Sequence, residues 1–176
     1  MRRRHAITGF VFAAAVLAAG AAPAQQPAPP NLDAIPDQMP FNIPYGPAIS
    51  AERAEQLVQA AIAEAKKRNW SMNVAIVDPN GDLIAFERMD GAQLASIAIA
   101  QHKARAAARF RRETKLFENG IQNGILYLGT LDDVIASRGG IPLVEGGKLI
   151  GAIGCSGGTG SQDEVAAKAG AALVNK

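Results

Sequence analysis

Residues 48–176 are predicted to form an α+β domain, an antiparallel sheet covered by helices, and three features of the chain predict it. Two pairs of apolar runs are each joined by turn formers, Asp78-Pro79-Asn80-Gly81 in the first pair and Gly146-Gly147 in the second, so each pair reads as a hairpin. Helix-like stretches flank and separate the hairpins, in the order helix, hairpin, helix, irregular stretch, hairpin, helix. Hairpins imply antiparallel pairing, and the helices must bury their apolar stripes against the sheet. The pattern is not that of a Rossmann domain, and no internal repeat is visible.

In chain order, the first segment stands outside that domain. "MRRRHAITGFVFAAAVLAAGAAPAQQ" has a basic start, an apolar stretch and an Ala22-Pro23-Ala24 cleavage pattern, the layout of a secretory signal peptide over residues 1–24. The apolar stretch approaches the length of a membrane anchor, but its small-residue exit points to cleavage and leaves no membrane span. The leading arginines leave both the general and the twin-arginine export routes open. The expected location is the periplasm or the exterior. Loss of Arg2, Arg3 and Arg4 turns a formal charge of +2 into −1, which gives no electrostatic footprint for nucleic acid. His5 leaves with them, so His102 is the one histidine and Cys155 the one cysteine of the mature chain, and no intramolecular disulfide can form.

Residues 25–47 hold seven of the ten prolines, and so read as an extended leader: a flexible tether in the first place, or an arm that lies on a neighbouring subunit, with Phe41, Ile43 and Tyr45 able to anchor it. Ser50 then caps a helix over 51–68, with Ala54, Leu57, Val58, Ala61, Ile62 and Ala65 on one stripe. "MNVAIVD" and "DLIAFERM" read as strands, followed by an alanine-rich helix over 94–112. Residues 114–138 are ambiguous beyond a short helix at 115–119. "IPLVE" and "KLIGAIGCS" form the second hairpin, and the last helix is expected over 162–174.

The glycine-rich joint "GAIGCSGGTGSQDEVAAKAG" invites three readings. Gly154-Cys155-Ser156-Gly157-Gly158 matches the G-x-S-x-G elbow of serine hydrolases, but in that fold the histidine follows the serine, whereas His102 precedes it. A phosphate loop lacks its G-K-[ST] ending. The spacing Ser161-Gln162-Asp163-Glu164 reads as a capping box, which makes the joint a strand-to-helix turn whose Gly157–Gly160 amides can still hold a ligand carboxylate. Cys155, beside an apolar run, reads as a small buried hydrophobe.

"SIAIAQHKARAAARFRR" carries the most chemistry. At 100° per residue His102 shares a helix face with Ala95, Ala98, Ile99, Arg105, Ala106 and Arg109. Small alanines leave room for a flat ligand, the imidazole can bind iron, and the two guanidiniums can hold carboxylates, which is the logic of haem with its propionates. A basic, exposed helix face without a ligand is the plainer alternative.

The segments "VAIVDPNGDLIAFERMDGA", "HKARAAARF", "GGIPL" and "GAIGCSGGTGSQDEVAAKAG" together resemble the HbpS/GlcG family, over about residues 44–176. The resemblance implies a profilin-like fold, a homo-oligomer, and haem binding or haem degradation in some members; other members sit beside catabolic enzymes, and corrinoid-related proteins carry a similar domain. Lys103-Ala104, Arg88-Met89-Asp90-Gly91 and Gln162-Asp163 match the family pattern, which adds Arg88 and Lys103 to His102, Arg105 and Arg109 as candidate cofactor-binding residues. The family often has threonine at the position of Ala106, and His102 does not match a fixed family histidine. The leading expectation is an exported haem-binding protein that scavenges, buffers or slowly degrades haem, with His102 as the metal ligand and Tyr127, Met89 and Cys155 as further candidates. The alternative is an enzyme or accessory subunit acting on a small organic acid, with Arg88, Lys103 and the joint amides binding a carboxylate and Asp90 or His102 moving a proton. A structural or sensory oligomer without a ligand is the third reading.

Overall fold

The computed structural model describes residues 31–175; the expected signal segment 1–24, and residues 25–30 of the leader, lie outside the described residues. Nine elements follow one another: α1 (Ala51–Lys67), β1 (Asn73–Val77), β2 (Leu83–Arg88), α2 (Ser96–Phe110), α3 (Lys115–Gln122), a 3-10 turn (Leu126–Thr130), β3 (Gly140–Glu145), β4 (Lys148–Ser156) and α4 (Gly160–Ala171). The strands form one sheet in the order β2-β1-β4-β3, and every neighbouring pair is antiparallel. The expected α+β architecture is therefore the one observed.

Alternation along the central strands splits the core in two. Val74, Ile76, Ile153 and Cys155 face α1 and α4, where Leu57, Val58, Ile62, Ala166 and Ala167 meet them. Ala75, Val77 and Ala152 face the other way, against Ala100, Ala104, Ala107 and Ala108 of α2. β1 is buried along its whole length because both of its faces are covered. The six α1 residues placed on one stripe by their spacing are the six that are buried. Ser50 caps α1 by accepting from the Arg53 amide at 3.3 Å. In the second hairpin Gly146 and Gly147 both take positive φ, 55° and 75°, which a two-residue turn of this hand requires.

Two expectations are corrected. The capping box of α4 is formed by Thr159 and Gln162, not by Ser161 and Glu164, and the helix starts at Gly160. The reason is the cap itself: Thr159 has an extended backbone and its hydroxyl accepts from the Gln162 amide, which leaves Ser161 and Glu164 inside the helix. The leader is not a free tether over its last part. Pro44 and Leu149, then Gly46 and Leu149, exchange backbone hydrogen bonds of 2.9 and 2.7 Å, and Ile49 donates to Ile150 at 2.8 Å. The guanidinium of Arg112 stacks on Phe41, and that of Arg111 on Tyr45 while donating to the Ile43 carbonyl at 3.0 Å.

Candidate functional site

Alanine decides how α2 lies. Presenting the methyl groups of Ala100, Ala104, Ala107 and Ala108 to the sheet, the helix settles onto it at Gly154, where an added Cβ would stand 2.1 Å from the Ala100 carbonyl oxygen. Its C-terminal half is tied to the β1–β2 turn and to the arm. Arg109 Nε donates to the Asn80 carbonyl at 2.7 Å, its Nη1 pairs with Asp133, and the Tyr45 hydroxyl donates to the Arg109 carbonyl at 2.9 Å. Arg105 packs its stem against Gly81, where an added Cβ would meet Arg105 Cγ at 2.7 Å.

His102 lies roughly 200° around the helix axis from Ala100, on the face turned away from the sheet. It is half-buried and forms no hydrogen bond or ion pair among the described residues. Arg105, one turn on and also half-buried, likewise has no ion partner among them. Arg109 is exposed but already engaged by Asn80 and Asp133. At the same end of the helix, Tyr45, Gly46, Asp78, Asn80 and Arg109 line an open cavity of about 570 Å³. His102, Arg105 and Arg109 are thus brought together as their spacing predicts.

Arg88 and Lys103 are placed elsewhere. Arg88 ends β2, across the sheet from Asn73 and at the far end of the strand from the Gly81 turn that Arg105 touches. It is exposed, as is Asp90, and the two form no ion pair among the described residues. Lys103 points inward, 1% exposed, and its ammonium lies 2.7 Å from the Asp163 carboxylate, itself 2% exposed. The pair passes through a notch at Gly139, where a Cβ would meet Lys103 Nζ at 3.2 Å and Asp163 Cβ at 2.8 Å, and it ties the α2 layer to the α4 layer.

That pair also explains the glycine-rich joint. The acceptors held by its amides are the chain's own side chains: Gly158 N–H donates to the Asp163 carboxylate at 3.0 Å, and Thr159 N–H donates to the Gln162 side-chain carbonyl at 2.8 Å. Burial pushes the Asp163 carboxyl up from its usual range, while Lys103 and the Gly158 and Gly157 amides pull it back. Cys155 is fully buried, and burial pushes its thiol far above the usual range, so no thiolate is offered to a metal or substrate. Ser156 sits under the inner side of α2, paired across the sheet with Asn73, whereas His102 is on the outer side, so the helix separates the serine from the histidine. Met89 accepts the Met72 amide at 3.4 Å through its sulfur, and Tyr127 stands exposed on the 3-10 turn. Among the described residues no group of three or more metal-binding side chains occurs, and no helix is long and apolar enough to cross a membrane.

Two residues escaped sequence reasoning. Asp133 lies in the stretch that was unreadable in sequence, and its partnership with Arg109 spans 24 residues with no local signal. Asn73 is buried at the start of β1, where its amide donates to the Gln93 and Ser156 carbonyls and its Oδ1 has no partner among the described residues. A polar residue opening an apolar strand was the visible hint.

Comparison with known proteins adds kinship to this geometry. A family model described as "Haem degrading protein HbpS-like" matches residues 49–172. The protein GlcG of Escherichia coli K12 is 42% identical over 108 residues, which cover 61% of this chain and 81% of GlcG. The crystal structure of a double mutant of Streptomyces reticuli HbpS superposes with a TM-score of 0.69 at 27% identity, covering 85% of this chain and all of that one. The crystal structure of a PduOC–haem complex gives 0.66 at 31% identity, covering 73% of this chain and 96% of that one. Its fold, and that of HbpS, is shared by the helix-covered sheet described above.

Proposed function

Since this chain belongs to the HbpS-like family of haem-degrading proteins, we propose that it binds haem, with the His102 imidazole facing the iron and Arg105 meeting a propionate. The observation that carries the reading is the outer face of α2, where a half-buried imidazole stands one turn from a guanidinium, the first without a hydrogen-bond partner and the second without an ion partner among the described residues. A neutral imidazole with a free nitrogen is a good iron ligand, and a guanidinium holds a carboxylate through charge-assisted hydrogen bonds. These side chains fit haem; Cys155, buried and protonated, does not. Arg109 contributes by holding the helix end on the Asn80 turn, and by reaching a second propionate when Asp133 yields. Bound haem would supply redox and ligand-binding chemistry, while His102 would offer it a nitrogen ligand and Arg105 and Arg109 would supply counter-charges. Lys103 and Arg88 are left out of this assembly, one because it is spent on Asp163 and the other because it stands at the opposite end of β2.

The same reading includes export, supported by the leader of residues 1–24, and a role in scavenging, buffering or slowly degrading haem outside the cytoplasm. The reading as an organic-acid enzyme loses its cradle, because the amides of the joint are taken by Asp163 and Gln162.

Haem titration followed in the visible range tests the proposal on wild type, His102→Ala and Arg105→Ala. A shifted Soret band in wild type, altered in position by His102→Ala and weakened severalfold in affinity by Arg105→Ala, is the expected result. An unshifted band in wild type rejects haem, and spectra identical in wild type and His102→Ala reject the ligand. N-terminal sequencing of protein recovered outside the cytoplasm is expected to begin after Ala24; an intact Met1 there overturns cleavage.

A further inference from the structure

The end of α2 turns on a residue where glycine is the usual choice. Arg111 takes φ 54° and ψ 39°, the left-handed region in which a side chain is crowded. The turn it makes lets Arg112 N–H donate to the Ala107 carbonyl and Arg111 N–H to the Ala108 carbonyl, both at 3.2 Å. Two of the four terminal carbonyls of the helix are thereby satisfied, and side chains take the other two. Arg112 Nε donates to the Phe110 carbonyl at 3.0 Å, and the Tyr45 hydroxyl donates to the Arg109 carbonyl at 2.9 Å. Of the four, the Arg109 carbonyl is the one closed by a distant part of the chain, 64 residues back.

An arginine at the left-handed position does what glycine could not. Its Nη1 donates to the Ile43 carbonyl at 3.0 Å, and its guanidinium carbon lies 5.1 Å from the centre of the Tyr45 ring. The backbone on either side of Tyr45 is fixed to β4: Leu149 N–H donates to the Pro44 carbonyl at 2.9 Å, and Gly46 N–H donates to the Leu149 carbonyl at 2.7 Å. Bracketed in this way, with Arg111 over its ring, Tyr45 delivers its hydroxyl to one place. That place is the backbone of Arg109, whose side chain lines the open cavity together with the Tyr45 ring. Arg109 also lies on the His102 face, two turns or about 10 Å along the helix.

Resting on the haem reading above, we propose that Tyr45 is a positioning residue for the bound ligand. Through the Arg109 carbonyl it fixes the last turn of α2, and so sets where the Arg109 guanidinium meets a propionate. Asn80 and Asp133 hold that guanidinium at its tip, while Tyr45 holds the backbone from which it springs. A terminal carbonyl that loses its donor lets the last turn fray. A frayed turn carries its side chain through a wider range, and the charge-assisted bond to a carboxylate then has more freedom to overcome. The arm of residues 41–46 thereby belongs to the site, clasped to it by Arg111 and by the stack of Arg112 on Phe41.

Tyr45→Phe tests it, since it keeps the ring that walls the cavity and removes only the hydroxyl. In the haem-free protein, amide hydrogen exchange at Arg111 and Arg112 should quicken at least about threefold, with exchange at Ala104 in mid-helix unchanged. Haem should bind about three- to tenfold more weakly, with the Soret position of wild type because His102 is untouched. The dimethyl ester of haem, which lacks the propionate charges, should bind wild type and Tyr45→Phe alike. In an Arg109→Ala background Tyr45→Phe should have no further effect on haem affinity. Unchanged exchange, unchanged haem affinity, an equal loss with the ester, or an undiminished effect without Arg109 each overturns the role of Tyr45 while leaving haem binding in place. An unshifted Soret band in wild type rejects haem binding itself, and the positioning role with it.

Discussion

Truncating Lys103 to methionine leaves the Asp163 carboxyl buried without its cation, while Asp163→Asn leaves the ammonium stranded. Each should cost about 3–5 kcal/mol, because a buried charge without its partner keeps the desolvation penalty and loses the compensation. Replacing both at once should cost less than the sum, and urea unfolding of the three variants checks it. Losses that simply add would mean that the two groups do not act as a pair. At the joint, Ser156→Ala should leave haem binding intact, since α2 lies between Ser156 and His102. Gly157→Val should destabilise the fold by about 1–3 kcal/mol through crowding, because a Cβ there would stand 2.3 Å from the Ser71 carbonyl oxygen. Close packing, not an unusual backbone angle, is what reserves that position for glycine.

Among the elements, α4 shows how a local cap sets a helix boundary. Its first turn is closed by Thr159 accepting from Gln162 N–H at 3.4 Å and by Gln162 accepting from Thr159 N–H at 2.8 Å. Thr159→Ala should therefore cost about 1 kcal/mol, whereas Ser161→Ala, exposed inside the first turn, should be close to neutral. Thermal unfolding of the two variants separates them, and the reverse order would restore the later start. The helix α2 obeys a different constraint. Gly154→Ala drives a methyl group into the backbone at Ala100 and Ala104, so the helix has to lift from β4 along its alanine face. A stability loss of about 1–3 kcal/mol is expected, accompanied by weaker haem binding if His102 and Arg105 are displaced with the helix.

Charge holds the outer shell of the whole molecule together where the alanine core is thin. Arg138 pairs with Glu118 at 2.8 Å and reaches Glu164, which is shared by Lys115 and Lys168, so α3, the approach to β3 and α4 form one network. The side-chain hydrogen bond from Arg138 holds the Glu118 carboxyl below the usual carboxylate range. A depressed native value means that this contribution is present above the ordinary glutamate value, near about pH 4.3, and is lost as pH falls through the native one. Melting temperature should thus drop between about pH 5 and 3, and Glu118→Gln should start lower and drop less. Parallel pH profiles for wild type and variant would remove Glu118 from the acid response.

What the chain determined by itself was local: the α1 stripe, the two hairpins with their Gly81 and Gly146-Gly147 turns, the burial of Cys155, and the sharing of one face by His102, Arg105 and Arg109. Each follows from a repeat of 2 or 3.6 residues, or from a turn that few side chains can make, and such information lies within a few neighbouring residues. Tertiary structure decided the rest. Lys103 and Arg105 are two residues apart, yet one is buried against Asp163, 60 residues on, and the other stands outside. Helix periodicity separates them in angle, but only the position of the sheet says which direction is inward. In the same way Phe41 and Tyr45 become anchors because Arg112 and Arg111 arrive beneath them, and the joint amides lose their appetite for a ligand because Asp163 arrives first. Contacts between residues distant in sequence leave no periodic trace, since the chain between them can vary without altering the meeting point.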